Sequence, residues 1–166
     1  MAETMPASYL HVAAVQMLPA TGDPKANVER ATRLAREAVD KHGAELLVFP
    51  ECTLTGYTSP GENGPTLADT RRLAETVPGP SVMHFAALAN ELRAYIVWGL
   101  HERRGEQYYN SAVVLSPQGE IVGTYSKVHI NRYESNMGWT NGDRFFVWPC
   151  RIRDCLLYTS PSPRDS

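Results

Sequence analysis

Residues 44–57 read AELLVFPECTLTGY, and this stretch decides how the chain is organised. Ala44–Pro50 is a short apolar run that stops at a proline. Such a run, bounded by turn residues, reads as a buried strand. The residues before it set its direction. From Asp23 to Gly43, the apolar side chains Val28, Ala31, Leu34, Ala35, Ala38 and Val39 recur at helical spacing. That pattern gives a helix one buried face. Asp23 suits the cap, Pro24 the first helical position and Gly43 the exit. Before the helix, LHVAAVQM (residues 10–17) is a second apolar run. Strand, helix, strand in that order predicts a β-α-β unit with parallel strands.

From Glu51 on, ECTLTGYTSPGENGPT (51–66), with its Gly, Pro and Ser residues, reads as a loop. GPSVMHFAALANELRA (79–94) reads as a second helix, with Pro80 at its start and Val82, Phe85, Ala86, Ala89 and Leu92 facing inward. Three strands follow at residues 95–103, 108–116 and 120–127, the last two joined through Pro117–Gly119 in a hairpin turn. Residues 128–149 read as a loop, with a short strand at Arg144–Trp148. The expected class is α/β: a mixed sheet with helices on one face and nothing later in the chain to cover the other.

Composition narrows the function. The chain has 166 residues, 43% of them hydrophobic and 20% charged, the balance of a globular domain. Its net charge is -2 and its basic residues form no stripe, which argues against nucleic acid or an anionic membrane as partner. Cys52, Cys150 and Cys155 show no C-x-x-C spacing, so neither a disulfide framework nor a zinc site is expected. The first residues lack the pattern of a secretory signal, and no run approaches about 20 apolar residues. A soluble, reducing, cytoplasmic setting is the expectation.

Three charged residues sit at strand ends, where α/β folds place ligands. Glu51 follows the second strand, Lys127 follows the last strand of the hairpin, and Glu134 lies in the loop beyond it. Taken singly, each reads first as a solvated charge. Placed together in a pocket, Glu51 could act as a general base and Lys127 could hold a developing oxyanion.

The blocks VAAVQM, LLVFPECTLTGY and YNSAVVLSPQGEIVGTYSKVHI, in this order and spacing, resemble the carbon–nitrogen hydrolase (nitrilase) superfamily. The resemblance runs from Leu10 to Trp148. It implies an α-β-β-α sandwich, present here as roughly its first half, and a Glu–Lys–Cys triad. The family's base falls on Glu51, its lysine on Lys127 and its supporting glutamate on Glu134, one residue further from Trp139 than the usual pattern. Tyr57 and Asn110 fall on pocket or scaffold positions. The implied reaction is hydrolysis of a linear amide or N-carbamoyl amine, or of a nitrile, through a thioester and without metal or cofactor. The implied partner is a small-molecule substrate, and the whole protein is expected to be a homo-oligomer.

The family's nucleophilic cysteine lies in a block after the lysine, and no such block is present. Cys52 reads as a core thiol, Cys150 comes too early, and Cys155 opens DCLLYTSPSPRDS (154–166). That segment is similar to a translated sequencing adapter, so residues 9–153 are expected to be the N-terminal part of a hydrolase domain and 154–166 an artefactual tail. A disordered Ser/Pro tail is the other reading. The 166-residue chain is expected to be inactive. Two rival functions remain. One is a non-catalytic binding domain. The other is a metal-dependent phosphodiesterase-like sandwich using Glu51, Asn110 and His129.

Overall fold

The computed structural model describes residues 9–57, 67–152 and the backbone of 155–159. Its elements in chain order are β1 (Val12–Ala14), α1 (Pro24–His42), β2 (Leu46–Val48), α2 (Leu67–Leu73), α3 (Pro80–Leu92), β3 (Tyr95–Arg104), β4 (Gln107–Leu115), β5 (Ile121–Ser126), α4 (Arg132–Asn136), β6 (Trp148–Ile152) and β7 (Cys155–Thr159). Strands β1 to β5 form one sheet in sequence order. The first three pair in parallel and β3, β4 and β5 pair antiparallel. This is the mixed α/β sheet expected from the β-α-β opening and the later hairpin.

Local chemistry places the helices. The Asp23 carboxylate accepts the Ala26 N–H at 3.0 Å, and Pro24 opens α1. Gly43 ends it at φ 63°, donating its N–H to the Val39 carbonyl. Ala31 and Ala35 are fully buried in the main core cluster, where α1 packs beside α3. Helix α3 buries Val82, Phe85, Ala86 and Ala89 against one face of the sheet. Phe85 stacks on Trp98 with centroids 3.9 Å apart, and Phe49 meets Trp98 edge-on at 5.5 Å. The Trp98 indole N–H donates to Ser81 Oγ at 3.1 Å, so the largest core side chain has its one donor satisfied.

The opposite face is not left bare, contrary to the sequence expectation. Strand β6, paired antiparallel with β7, packs on it, and Cys150 and Ile152 bury against Leu46, Tyr95 and Val114. Gly123 makes this possible, because a Cβ there would lie 2.2 Å from the Trp148 ring. Val12 and Val48 on that face stay exposed. β7 falls within the segment expected to lie outside the domain; residues 153–154 and 160–166 are outside the described residues.

Other boundaries also differ. The strand expected at Arg144–Trp148 begins at Trp148, where a pairing partner starts. The first strand is only Val12–Ala14, because β2 offers just three paired positions. Helix α4 stands where a loop was expected, and α2 lies in residues 67–78, for which no element was expected; five and seven residues are too short to show a helical period.

Candidate active site

Glu51 leaves β2 through Phe49 and Pro50 into a tight turn. Cys52 takes a left-handed conformation at φ 53°, and the Thr55 and Gly56 N–H groups both close on its carbonyl. The turn sits directly on β3: Leu54 N–H donates to the Gly99 carbonyl at 3.2 Å. A Cβ at Gly99 would lie 2.3 Å from the Pro50 carbonyl oxygen and 3.3 Å from Glu51 Cα. Gly99→Ala is therefore expected to cost about 1–3 kcal/mol of stability by overpacking. Chemical denaturation checks this, and an unchanged midpoint would show that the turn does not rest on Gly99.

Lys127 follows β5 at once. Its N–H bonds to the Asn110 carbonyl at 2.9 Å, and its carbonyl accepts the Gly142 N–H at 2.8 Å. The side chain reaches Glu51 Oε1 at 3.1 Å and Glu134 Oε2 at 3.0 Å. Glu134 is fixed by a reciprocal capping box at the start of α4. Its backbone N–H donates to Asn131 Oδ1, and its Oε2 accepts the Asn131 N–H, both at 2.8 Å. Its Oε1 accepts from Lys127 Nζ at 3.1 Å, Asn110 Nδ2 at 3.1 Å and Tyr57 Oη at 3.3 Å. Asn110 Nδ2 also donates to Glu51 Oε1. The three charged residues expected to share a site thus lie within one hydrogen-bonded cluster.

Burial separates their capacities. The Glu51 side chain is 45% exposed, Lys127 22% and Glu134 5%. Glu51 is the carboxylate that an incoming group can reach. Glu134 is spent on the fold and on Lys127. Burial pulls the Lys127 pKa down, but hydrogen bonds to Glu134 and Glu51 outweigh it and hold the ammonium above its usual range. Burial pushes Glu134 up, yet donors from Asn131, Lys127 and Asn110 bring it below the usual carboxylate value. Tyr57 is pushed up to about 12, by burial first and then by Glu51 and Glu134, so its phenol stays protonated. A cleft of about 490 Å3 opens beside the cluster, walled by Val48, Val97, Gly99, Ala112 and Tyr125 with Glu51 and Lys127 at its rim.

Neither described thiol opens into that cleft. Cys52 is 1% exposed, beneath the cluster, with its Sγ 3.2 Å from His101 Nε2 and 3.7 Å from Asn110 Oδ1. Burial, then the charges of Glu51 and Glu134, push its pKa well up, so it stays a thiol. Cys52 is thus buried, as the sequence reading expects, and it sits in the Glu51 turn. Cys150 lies in β6 against the other end of the sheet. The Cys155 side chain is outside the described residues. His129 packs its ring edge-on to Phe145 at 6.0 Å. Among the described residues, no group of three His, Cys, Asp or Glu side chains is arranged to hold a metal, and the cation between the two carboxylates is Lys127 itself. No helix among them is long and apolar enough to cross a membrane.

Sequence reasoning passed over His101. It is 2% exposed, stacks on Trp139 at 4.3 Å, and burial lowers its pKa from 6.5 to about 4. The charge of Glu134 opposes this shift. An unfolded chain therefore takes up a proton at His101 near pH 6.5, while the folded chain does not until about pH 4. Stability should fall as pH drops through that window, by up to about 1.4 kcal/mol per pH unit from this group. Unfolding free energies measured across the window check it: His101→Gln should flatten the slope, and an equal slope in the variant would refute the assignment.

Comparison with known proteins fits this geometry. Residues 11–148 match the family model described as carbon-nitrogen hydrolase. The chain belongs to the carbon–nitrogen hydrolase family. It is 38% identical over 120 residues to a protein named nitrilase from Pyrococcus abyssi, covering 72% of this chain and 43% of that one. It is 31% identical over 149 residues to nitrilase 3 of Arabidopsis thaliana, covering 83% and 42%. The chain thus spans about two fifths of the length of these curated relatives. Among solved structures, a carbon–nitrogen hydrolase from Helicobacter pylori G27 superposes with a TM-score of 0.69 at 28% identity, covering 81% of this chain and 45% of that one. An N-terminal amidase superposes at 0.77 with 22% identity, covering 91% and 39%, a likeness of fold. The α/β fold is that of part of a nitrilase-superfamily domain.

Proposed function

We propose that the whole protein hydrolyses small linear amides or N-carbamoyl amines, or nitriles, by a Glu–Lys–Cys triad to which this chain contributes Glu51 and Lys127. The observation that carries the reading is the Lys127 ammonium held 3.1 Å from Glu51 and 3.0 Å from Glu134 at the rim of an open cleft. The names of the curated relatives, nitrilases, support a small substrate with a carbon–nitrogen bond.

Each group has a task its surroundings suit. The half-exposed Glu51 takes the proton of a cysteine thiol supplied by the rest of the protein. The thiolate adds to the amide carbonyl carbon, and the charge that develops on oxygen is met by Lys127. Glu51 returns its proton to the nitrogen as the C–N bond breaks, and ammonia or amine leaves. Glu51 then deprotonates a water that attacks the thioester, releasing the acid and restoring the thiol. Glu134 stays a carboxylate throughout and keeps Lys127 charged and aimed.

The test joins residues 11–148 to the remaining C-terminal portion of the Pyrococcus abyssi nitrilase and measures ammonia release, with Glu51→Gln as the control. Glu51-dependent release supports the reading, and a soluble hybrid whose turnover ignores Glu51 refutes it.

A further inference from the structure

The site has a floor that the proposed chemistry does not use. Beneath Glu51 and Glu134 lie Asn110, Cys52, His101 and Thr55, at 6%, 1%, 2% and 2% exposure. They form one line of contacts. Thr55 Oγ1 is 2.7 Å from His101 Nδ1, His101 Nε2 is 3.2 Å from Cys52 Sγ, and Cys52 Sγ is 3.7 Å from Asn110 Oδ1. His101 and Asn110 are direct cross-strand partners on β3 and β4.

The direction of each bond follows from what its ends can do. Glu51 and Glu134 are carboxylates and only accept. Asn110 must therefore turn its NH2 toward them, and it gives one proton to each. Its carbonyl then faces Cys52 and needs a donor. The thiol owns one proton. If that proton went to His101, a buried amide oxygen would be left unmet, which costs on the order of 1–3 kcal/mol. If His101 carries its proton on Nε2, the chain is satisfied throughout: Nε2–H donates to Sγ, S–H donates to Asn110 Oδ1, and the Thr55 hydroxyl gives its one proton to Nδ1 at 2.7 Å in preference to the Gly56 carbonyl at 3.2 Å.

We infer that Cys52 and His101 are positioning residues: a directed relay, Thr55 to His101 to Cys52 to Asn110, locks the Asn110 amide with its NH2 toward both carboxylates. A flipped amide would set its oxygen against Glu51 and Glu134. The relay also joins two segments that carry the site. Cys52 lies in the Glu51 turn. His101 stacks on Trp139, whose backbone N–H donates to the Glu134 carbonyl at 3.1 Å. The value placed on this lock rests on the proposed function, while the bond directions belong to the folded chain whatever it catalyses.

Nuclear magnetic resonance of the labelled 166-residue chain tests it without an activity assay, so its failure is separable from failure of the hydrolase reading. Nitrogen shifts of His101 at neutral pH should show the Nε2–H tautomer. Cys52→Ala should raise the titration midpoint of Glu134 and move the Asn110 side-chain amide signals, because the amide is then free to flip. Cys52→Ser, which keeps a donor and acceptor in place, should restore both. Cys150→Ala, which removes an equally buried thiol at the far end of the sheet, should move neither. An Nδ1–H tautomer overturns the relay. So does a Glu134 midpoint that ignores Cys52→Ala, or one that Cys150→Ala shifts as much. If Cys52→Ala does not fold, the tautomer of the unaltered chain decides.

Discussion

Lys127→Met should lower the free energy of unfolding by about 3 kcal/mol, the scale seen when one partner of a buried ion pair is removed. The Glu134 side chain is 5% exposed and cannot turn to water for compensation. Without the ammonium it keeps donors from Asn131, Asn110 and Tyr57, but these are dipoles facing a buried charge. Its pKa should climb, since the Lys127 contact is one of the contributions that holds it below the ordinary carboxylate value. The sign with pH follows. At neutral pH the variant carries an uncompensated carboxylate, and as pH falls through the raised Glu134 pKa the group is neutralised and part of the deficit vanishes. The double variant Lys127→Met/Glu134→Gln leaves no buried charge and should recover much of the loss. Urea unfolding of these two variants and of Glu134→Gln alone closes the cycle. If all three stayed within about 0.5 kcal/mol of the unaltered chain, the cluster would be a solvated surface pair of the ordinary kind.

Local signals made most of the sheet and both long helices legible. Asp23, Pro24 and Gly43 bracket α1, and a 19-residue helix has turns enough to display its buried face. Helix α4 left a different trace. Asn131 and Glu134 stand three apart, the spacing of a capping box, and that pair both starts the helix and fixes the carboxylate. Reading Asn131–Glu134 as a cap would have found a helix where the hydrophobic pattern shows none. Glu51 and Lys127 were legible as strand-end charges, and the family resemblance joined them. Their meeting is a tertiary fact: 76 residues separate them, and only the β2–β3–β4–β5 order brings both ends to one rim. His101 was illegible for a related reason. In YIVWGLHER it looks like the polar break of a strand, while its partners Cys52, Thr55 and Trp139 lie 49 and 46 residues before it and on a loop after it. Cover for the second sheet face was missed because Cys150 and Ile152 alternate with Pro149 and Arg151 in too short a run to read as a buried strand.

The 166-residue chain by itself should release ammonia from amides, carbamoyl amines or nitriles about a million-fold more slowly than a complete triad, below what an ammonia assay detects. Glu51 and Lys127 can assist an acyl transfer but cannot replace the thiolate that splits it into two lower barriers. Cys52 cannot serve. It is 1% exposed, burial holds it protonated, and its proton is engaged below the site. Cys150 is fully buried against Leu46, Tyr95 and Val114. Supplying the C-terminal portion of the Pyrococcus abyssi nitrilase should lay a further strand and its thiol on the face where Val12 and Val48 are exposed. In that hybrid, Glu51→Gln should cut turnover roughly a thousand-fold, the scale of a lost general base, with a smaller change in KM. Lys127→Met should do the same through the oxyanion, on the order of a hundred-fold or more. Ammonia release by the unaltered chain that vanishes with Glu51→Gln would mean that the nucleophile lies within these residues. A folded hybrid in which Glu51→Gln and Lys127→Met turn over at the unaltered rate would mean that this cluster is structural and that the chemistry is done elsewhere.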